Sequence, residues 1–317
     1  NDSYNMFDEV KGEGISNMNF EYRISNIFLE ELQECPDKVE RCAVGQGNYV
    51  YIVECTSKKY VFRCSEEKNA YKDTLYWLER LADIDIPVPR VIAKGAFEKY
   101  EYIILTYFEG TDIGLIYTKL TDEEKKNIAR EIVAIQKQME SLKIENIPAD
   151  WSWKKEVDEI LDRAKFRIAQ NGYFDTGRVD ALYKLEEGLE DYFARIKPIA
   201  YLDDVSTKNL LIHNGHFSGI VDIDWMGIGD KLTYVALTNM ALLNMDCDTD
   251  YVQYILEEMK LNSLQKRAFH FYTLMYCVDF MGERGMQFMD KKIEVNEVIV
   301  NRLNDLYDEL IGTRYVM

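Results

Sequence analysis

The positions whose residue types and spacing could do chemistry lie between residues 201 and 222. They read Tyr201-Leu202-Asp203-Asp204-Val205-Ser206-Thr207-Lys208-Asn209-Leu210-Leu211-Ile212, then Phe217-Ser218-Gly219-Ile220-Val221-Asp222. A strand-like run ends at an Asp, and an amide side chain follows five residues after Asp204. A hairpin through Asn214-Gly215 then delivers another Asp at the end of an apolar run. Oxygen-bearing groups thereby fall on neighbouring loops. Phosphoryl transfer calls for such a set: a carboxylate to accept a hydroxyl proton, and a carboxylate with an amide oxygen to hold Mg²⁺ against phosphates. Taken singly, Asp203, Asp204, Asp222, Asp224 and Asp230 are also turn formers and solvated loop charges. The reading rests on their order and spacing together.

The elements that must position these groups change character along the chain. From about Val39 to Leu105, the runs VERCAV, NYVYIVEC, KKYVFRC, PRVIAKG and YEYIILTYF are short, alternating or apolar, and rich in Val, Ile, Tyr and Phe. One helix, roughly Glu67 to Ala82, interrupts them and ends before Ile86-Pro87-Val88-Pro89, where two prolines impose extended backbone. A small antiparallel sheet carrying one helix follows. After Gly110 amphipathic helices take over. Thr121-Asp122-Glu123-Glu124 forms a capping box ahead of an apolar stripe of Ile128, Ile132, Ile135, Met139 and Leu142. Further helices fit Trp153 to Gln170, Asp180 to Ile196, Lys231 to Asn244, Tyr251 to Leu261, Ser263 to Gly282 and Asn296 to Leu310. The stretch to about Met18 is expected to be loosely ordered.

With these motifs in place, the sequence resembles the aminoglycoside phosphotransferase and choline kinase family, small-molecule kinases related to protein kinases. The resemblance implies a two-lobed, protein-kinase-like α+β fold. A small antiparallel β lobe with one helix (1–106) would bind nucleotide, 107–110 would be the hinge, and 111–317 a mainly helical lobe with the catalytic loop and acceptor site. It implies Asp204 as catalytic base, Asn209 and Asp222 as metal ligands, and Asp230 in Gly229-Asp230 as a support for the loop. Leu202 stands where the family has a His that braces the loop, and Asp203 where Gly is frequent. Adjacent strand residues point oppositely, and the five-residue step to Asn209 selects Asp204 over Asp203.

On the nucleotide side, Gly45-Gln46-Gly47-Asn48 lies between two expected strands. It is either a plain hairpin or a turn whose backbone N–H groups cover phosphates. Arg63 occupies the third-strand position where the family keeps Lys or Arg for the phosphates, with bidentate geometry in place of a point charge. The acidic partner that kinases place on the following helix has no clear counterpart: the aligned positions are Tyr71 or Thr74, unless Asp73 serves from a shifted register. Ile103 to Gly110 resembles the family's hinge, whose backbone, here at Thr106 and Phe108, would bond the purine.

The acceptor residues are less defined. Asp246, Asp248, Asp250, Glu257 and Glu258 line a stretch without basic residues, either an amine-binding site or a solvated face. Asp279 and Glu283 share a helix face and are expected to point out of the core, and Asp224 is either near the metal or exposed.

Composition sets the outer limits. Of 317 residues 47% are hydrophobic, enough for one or two cores, and a net charge of −18 opposes nucleic acid and anionic membranes. No run of about 18 apolar residues and no signal-like start appear, so a cytoplasmic protein is expected. Six cysteines without metal spacing read as reduced thiols. The expected activity is Mg²⁺-dependent phosphotransfer from ATP or GTP to a hydroxyl of an aminoglycoside-type molecule. A macrolide, choline, homoserine or a sugar are alternative acceptors, and a nucleotide-binding protein without turnover is the alternative in kind. Whether the chain acts as a monomer or a dimer is not readable.

Overall fold

The structure, a computed structural model, describes residues 8–42, 49–56, 58–288 and 291–313. The chain divides into two compact units, one holding the residues up to Glu79 with Pro89–Tyr107, the other holding Arg80–Val88 with the chain from Phe108 onward.

The first unit is built from α1 (Asp8–Leu32), β1 (Pro36–Arg41), β2 (Tyr49–Cys55), β3 (Lys58–Ser65), α2 (Lys72–Leu81), β4 (Val91–Phe97) and β5 (Tyr100–Thr106). The strands form one sheet in the order β1-β2-β3-β5-β4, antiparallel throughout. Alternation explains its core. Tyr51, Val53 and Cys55 of β2, Tyr60, Phe62 and Cys64 of β3, and Tyr100, Tyr102 and Ile104 of β5 cluster together, and Ile24, Ile27 and Phe28 of α1 pack onto them. The tyrosine hydroxyls reach carboxylates at the edge of this core: Tyr60 donates to Glu34 at 2.9 Å, Tyr102 to Glu31 at 3.0 Å and Tyr100 to Glu66 at 3.1 Å. Helix α1 begins at Asp8, well before the point where the sequence reading placed order. Phe20, Ile24, Ile27 and Phe28 have helical spacing, and the sheet face they cover supplies what the segment lacks in intrinsic propensity.

The second unit comprises β6 (Thr111–Asp112), α3 (Ile113–Ile116), α4 (Asp122–Met139), α5 (Trp153–Asn171), α6 (Gly177–Glu186), α7 (Glu190–Phe193), β7 (Ala200–Tyr201), β8 (Leu210–His213), β9 (His216–Ile220) and β10 (Gly227–Ile228). It continues with α8 (Leu232–Asn244), α9 (Asp250–Met259), α10 (Ser263–Glu283), β11 (Gln287–Phe288), β12 (Lys291–Lys292) and α11 (Glu297–Gly312). The capping box opens α4 as expected: the Thr121 hydroxyl accepts from the Glu124 amide, and the Glu124 carboxylate accepts from the Thr121 amide at 2.7 Å. The single helix expected over 180–196 is instead α6 and α7, separated by a 3₁₀ turn at Glu187–Leu189. Gly188 in that turn is a poor helix former. No helix of the described residues is long and apolar enough to cross a membrane.

Two short sheets bring the chemistry-bearing loops together. β6, β8 and β9 form one and β7 with β10 the other. Asn214 (φ 50°) and Gly215 (φ 77°) both occupy the left-handed region, the type I′ turn that matches strand twist. Ile220 donates its N–H to the Pro87 carbonyl at 2.8 Å, which ties the proline segment into this unit.

Gly219 lets the Phe108 ring lie against β9: a Cβ there would stand 2.6 Å from Phe108 Cγ, the base of the ring and not a movable end. Gly219→Ala should therefore lower stability by about 1–3 kcal/mol in urea unfolding. Gly312→Ala, where a Cβ meets nothing within 4 Å, serves as the matched control and should leave the transition nearly unchanged.

Candidate active site

The second unit gathers Asp204, Asn209 and Asp222. The loop from Val205 to Thr207 is buried, and the Gly114 amide of α3 donates to the Thr207 carbonyl at 3.1 Å. A Cβ at Gly114 would sit 2.5 Å from that oxygen, so the loop and α3 meet backbone to backbone. Asn209 adopts the left-handed conformation (φ 64°), which an Asn side chain tolerates. Its Nδ2 donates to the Asp204 carbonyl at 3.0 Å and to Asp204 Oδ2 at 3.1 Å. The Asn209 carbonyl in turn accepts from the Val221 amide at 2.9 Å, so Asp222, also left-handed (φ 61°), follows one residue beyond that bond.

Electrostatics in this cluster oppose burial to one cation. Burial raises the Asp204 carboxyl; the Lys208 ammonium and the Asn209 amide pull it down, and Asp112 adds a like charge. The net position is above the usual value. Asp203 is pushed from 3.8 up to about 6, by burial first and then by the charge of Asp204. Asp112 is raised by burial against the Asn209 N–H and Lys208, and its Oδ1 is buried without a hydrogen-bond partner. Asp112 and Lys208 were missed in the sequence. Lys208 was visible beside Asn209, whereas Asp112 arrives only through the pairing of β6 with β8.

Leu202 is buried where the resembled family has His. Its backbone is held by Gln136 of α4: Gln136 Nε2 donates to the Leu202 carbonyl at 2.7 Å, and Gln136 Oε1 accepts from the Leu202 amide at 2.9 Å. Asp230 is a buried junction, accepting from the Tyr192 hydroxyl at 2.6 Å, the Tyr272 hydroxyl at 3.0 Å and the Leu232 amide at 3.0 Å. Trp153 Nε1 donates to the Tyr272 hydroxyl at 2.6 Å, so α5, α7 and α10 converge on this carboxylate. Burial still leaves the Asp230 carboxyl above its usual value.

The candidate acceptor residues separate into two groups. Asp279 is buried, contrary to the outward orientation expected, because Arg163 and Arg167 of α5 lie 3.4 and 3.8 Å away and compensate its charge. Glu283 is half-buried; burial and then the charge of Asp279 raise its carboxyl, against Arg167, Arg284 and Arg163. Tyr276 links this pair to the loop, since burial and then the charges of Asp203 and Asp279 drive its hydroxyl far up. Asp224 is half-buried between buried Ile223 and exposed Trp225. Asp246 and Asp248 belong elsewhere. Asp246 lies 3.6 Å from Arg302. Asp248 accepts from buried Lys125 at 2.8 and 3.0 Å and from the Tyr117 hydroxyl at 3.0 Å. Burial alone would raise Asp248, but Lys125, the Asp250 amide and Tyr117 outweigh it and hold it low. Lys125 precedes Gln136 by eleven positions on α4, roughly 16 Å along its axis.

In the first unit, the buried Arg63 of β3 places its guanidinium 5.6 Å from the Tyr71 ring centroid. Thr74 is buried and Asp73 exposed. Thr106 commits its amide to the Arg90 carbonyl at 3.0 Å and its hydroxyl to the Arg90 amide at 2.9 Å. Phe108 begins the second unit, packed on Gly219. Gly45, Gln46, Gly47 and Asn48 lie outside the described residues.

Comparison with known proteins places this arrangement. ADP-bound aminoglycoside phosphotransferase APH(2'')-Ib superposes with a TM-score of 0.61 at 14% identity, over 90% of this chain and 96% of that one. A thermostable mutant of aminoglycoside phosphotransferase APH(4)-Ia, in ternary complex with AMP-PNP and hygromycin B, gives 0.63 at 14% identity over 92% and 99%. The streptomycin–ATP–APH(2'')-IIa ternary complex gives 0.59 at 14% over 92% and 96%. These likenesses establish the protein-kinase-like fold. A Staphylococcus aureus relative, an uncharacterized protein in the ileS 3′ region, is 29% identical over 93 residues, which span 29% of this chain and 66% of the relative, just under two thirds of its length. The profile of the phosphotransferase enzyme family (APH) matches residues 38–236, more than half of the chain and inclusive of Asp204, Asn209, Asp222 and Asp230. The chain therefore belongs to the phosphotransferase enzyme family and is a kinase-fold enzyme of phosphoryl transfer.

Proposed function

We propose that this enzyme transfers the γ-phosphoryl group of ATP or GTP to a hydroxyl of a cationic small molecule of the aminoglycoside type, in the cytoplasm where the nucleotide is abundant. The observation that carries the reading is the bond from Asn209 to Asp204 with Asp222 one residue beyond the Asn209–Val221 contact. Oδ2 of Asp204 is engaged by Asn209, and Oδ1 would orient an incoming hydroxyl and take its proton. Because Nδ2 of Asn209 is spent on Asp204, its side-chain oxygen and the exposed Asp222 carboxylate form an oxygen-only donor set. That chemistry fits Mg²⁺, a hard cation that takes oxygen ligands. Bound there, Mg²⁺ would neutralise charge on the phosphates.

Arg63 would steady the phosphates, the backbone of Gly45 to Asn48 would cover them, and Phe108 with the Thr106 carbonyl would meet the purine. Asp203 and Glu283 would face the cationic acceptor, with Asp279 behind them held by its arginines and Asp224 nearer the metal. A macrolide, choline, homoserine or a sugar is the alternative acceptor, so the acceptor panel includes them. The second reading, an alternative in kind, is a nucleotide-binding protein without turnover, motivated by Leu202 at the position where the resembled family has His.

Turnover with Mg²⁺ and ATP or GTP, measured against aminoglycosides, a macrolide, choline, homoserine and a sugar, tests this. Turnover with an aminoglycoside is expected, and nucleotide binding without turnover of any acceptor would favour the second reading. Asp204→Asn should lower kcat by about 10² or more and leave nucleotide Kd within about twofold. Loss of activity in Asp203→Asn with Asp204→Asn active would move the base to Asp203.

Asp203 also has a stability signature. It holds its proton more tightly when folded, at about 6, than at its ordinary 3.8. The folded state therefore binds more protons across that window, and stability falls as pH rises through it. Asp203→Asn should stabilise the protein by on the order of 1–3 kcal/mol at pH 8 and leave it nearly unchanged below about pH 3.5, read from urea unfolding at both pH values.

A further inference from the structure

Gln136 is a polar side chain set into the apolar stripe of α4, four residues after Ile132 and three before Met139, and only 1% exposed. A buried amide without partners is costly, and both ends of this one are consumed by the backbone of a single residue, Leu202, at 2.7 and 2.9 Å. The partners also settle the amide's orientation, since a peptide N–H must meet oxygen and a peptide carbonyl must meet NH₂. Two bonds to one residue fix both peptide planes flanking Leu202, much as a strand partner would. From there only the torsions at Asp203 and Asp204 separate the clamp from the Asp204 carboxylate. Asn209 restrains that carboxylate from the downstream side, through the Asp204 carbonyl and Oδ2. The Leu202 side chain, buried and apolar, can brace nothing by hydrogen bonding.

We infer that Gln136 is a positioning residue for phosphoryl transfer: its clamp on Leu202 does from α4 the bracing that a polar side chain at 202 would otherwise do, and it holds Asp204 where the acceptor hydroxyl arrives. The inference rests on the base assignment to Asp204, and the test separates the two. Gln136→Leu keeps the volume and removes both bonds. With ¹³C-labelled aspartate, the Asp204 carboxyl signal should shift in Gln136→Leu relative to wild type. kcat should fall about tenfold or more, while KM for acceptor and nucleotide stays within about threefold.

A wild-type enzyme without turnover on any acceptor, together with a shifted Asp204 signal in the variant, would defeat the base assignment and leave the clamp's hold on Asp204 standing. An unchanged Asp204 signal, or a kcat within twofold of wild type in a folded variant, overturns the inference. If Gln136→Leu does not fold, Gln136→Glu replaces it: the carboxylate keeps the acceptor for the Leu202 amide and regains a donor for the Leu202 carbonyl only when protonated. Its kcat should then recover toward wild type at low pH and drop as pH rises. A pH profile parallel to that of wild type overturns the proposal in that arm.

Discussion

The arrangement turns on holding the half-buried carboxylate of Asp204 in one place. A carboxylate three residues beyond a two-residue strand has no ladder of its own to fix it, and burial pushes it toward neutrality. Two amide side chains hold this stretch from opposite directions in the chain, Asn209 on Asp204 itself and Gln136 on the backbone of Leu202. Asn209 reaches back over its own loop, and Gln136 reaches across from α4. The Asn209 contact requires a left-handed backbone at 209, and that conformation aims its carbonyl at the Val221 amide and so aligns the start of the Asp222 loop. One constraint thus orders Asp204, Asn209 and the start of the Asp222 loop together.

Charge balance explains the surroundings. Lys208 and hydrogen bonds from Asn209 work against burial at Asp204 and Asp112, and Asp203 is lifted to about 6 by burial and the charge of Asp204. Further in, Asp230 stays buried because two tyrosine hydroxyls and an amide satisfy it. Asp279 stays buried because two arginines of α5 face it. These are different solutions to the same cost, and they place the helices α5 and α10 behind the loop.

What was legible in the sequence was local. The five-residue step from Asp204 to Asn209 and the Asn214-Gly215 turn set three groups near one another through short-range geometry alone. The strands of the first unit were legible for the same reason, as alternation needs no partner to be seen. Gln136 was not: it looks like one polar interruption in an apolar stripe, and its partner Leu202 lies 66 positions away. Asp248 looked like part of an acidic face because its partner Lys125 lies 123 positions away. The contact of the Tyr71 ring with Arg63 could not be read from the sequence, because it depends on the register at the start of α2. Helix α1 was passed over because its stability comes from the sheet it covers, and Gly188 shows the reverse, a local break inside an otherwise continuous helical pattern.

The central claim is that a nucleotide's terminal phosphoryl group ends on a hydroxyl of a cationic small molecule. The most direct measurement is ³¹P NMR of the wild-type enzyme with Mg²⁺ and ATP in the presence of hygromycin B, streptomycin or gentamicin in turn. The account predicts loss of the γ resonance and growth of a phosphomonoester resonance coupled to a carbinol proton, in step with ADP. Formation of inorganic phosphate alone, or an unchanged γ resonance with every acceptor, would contradict it.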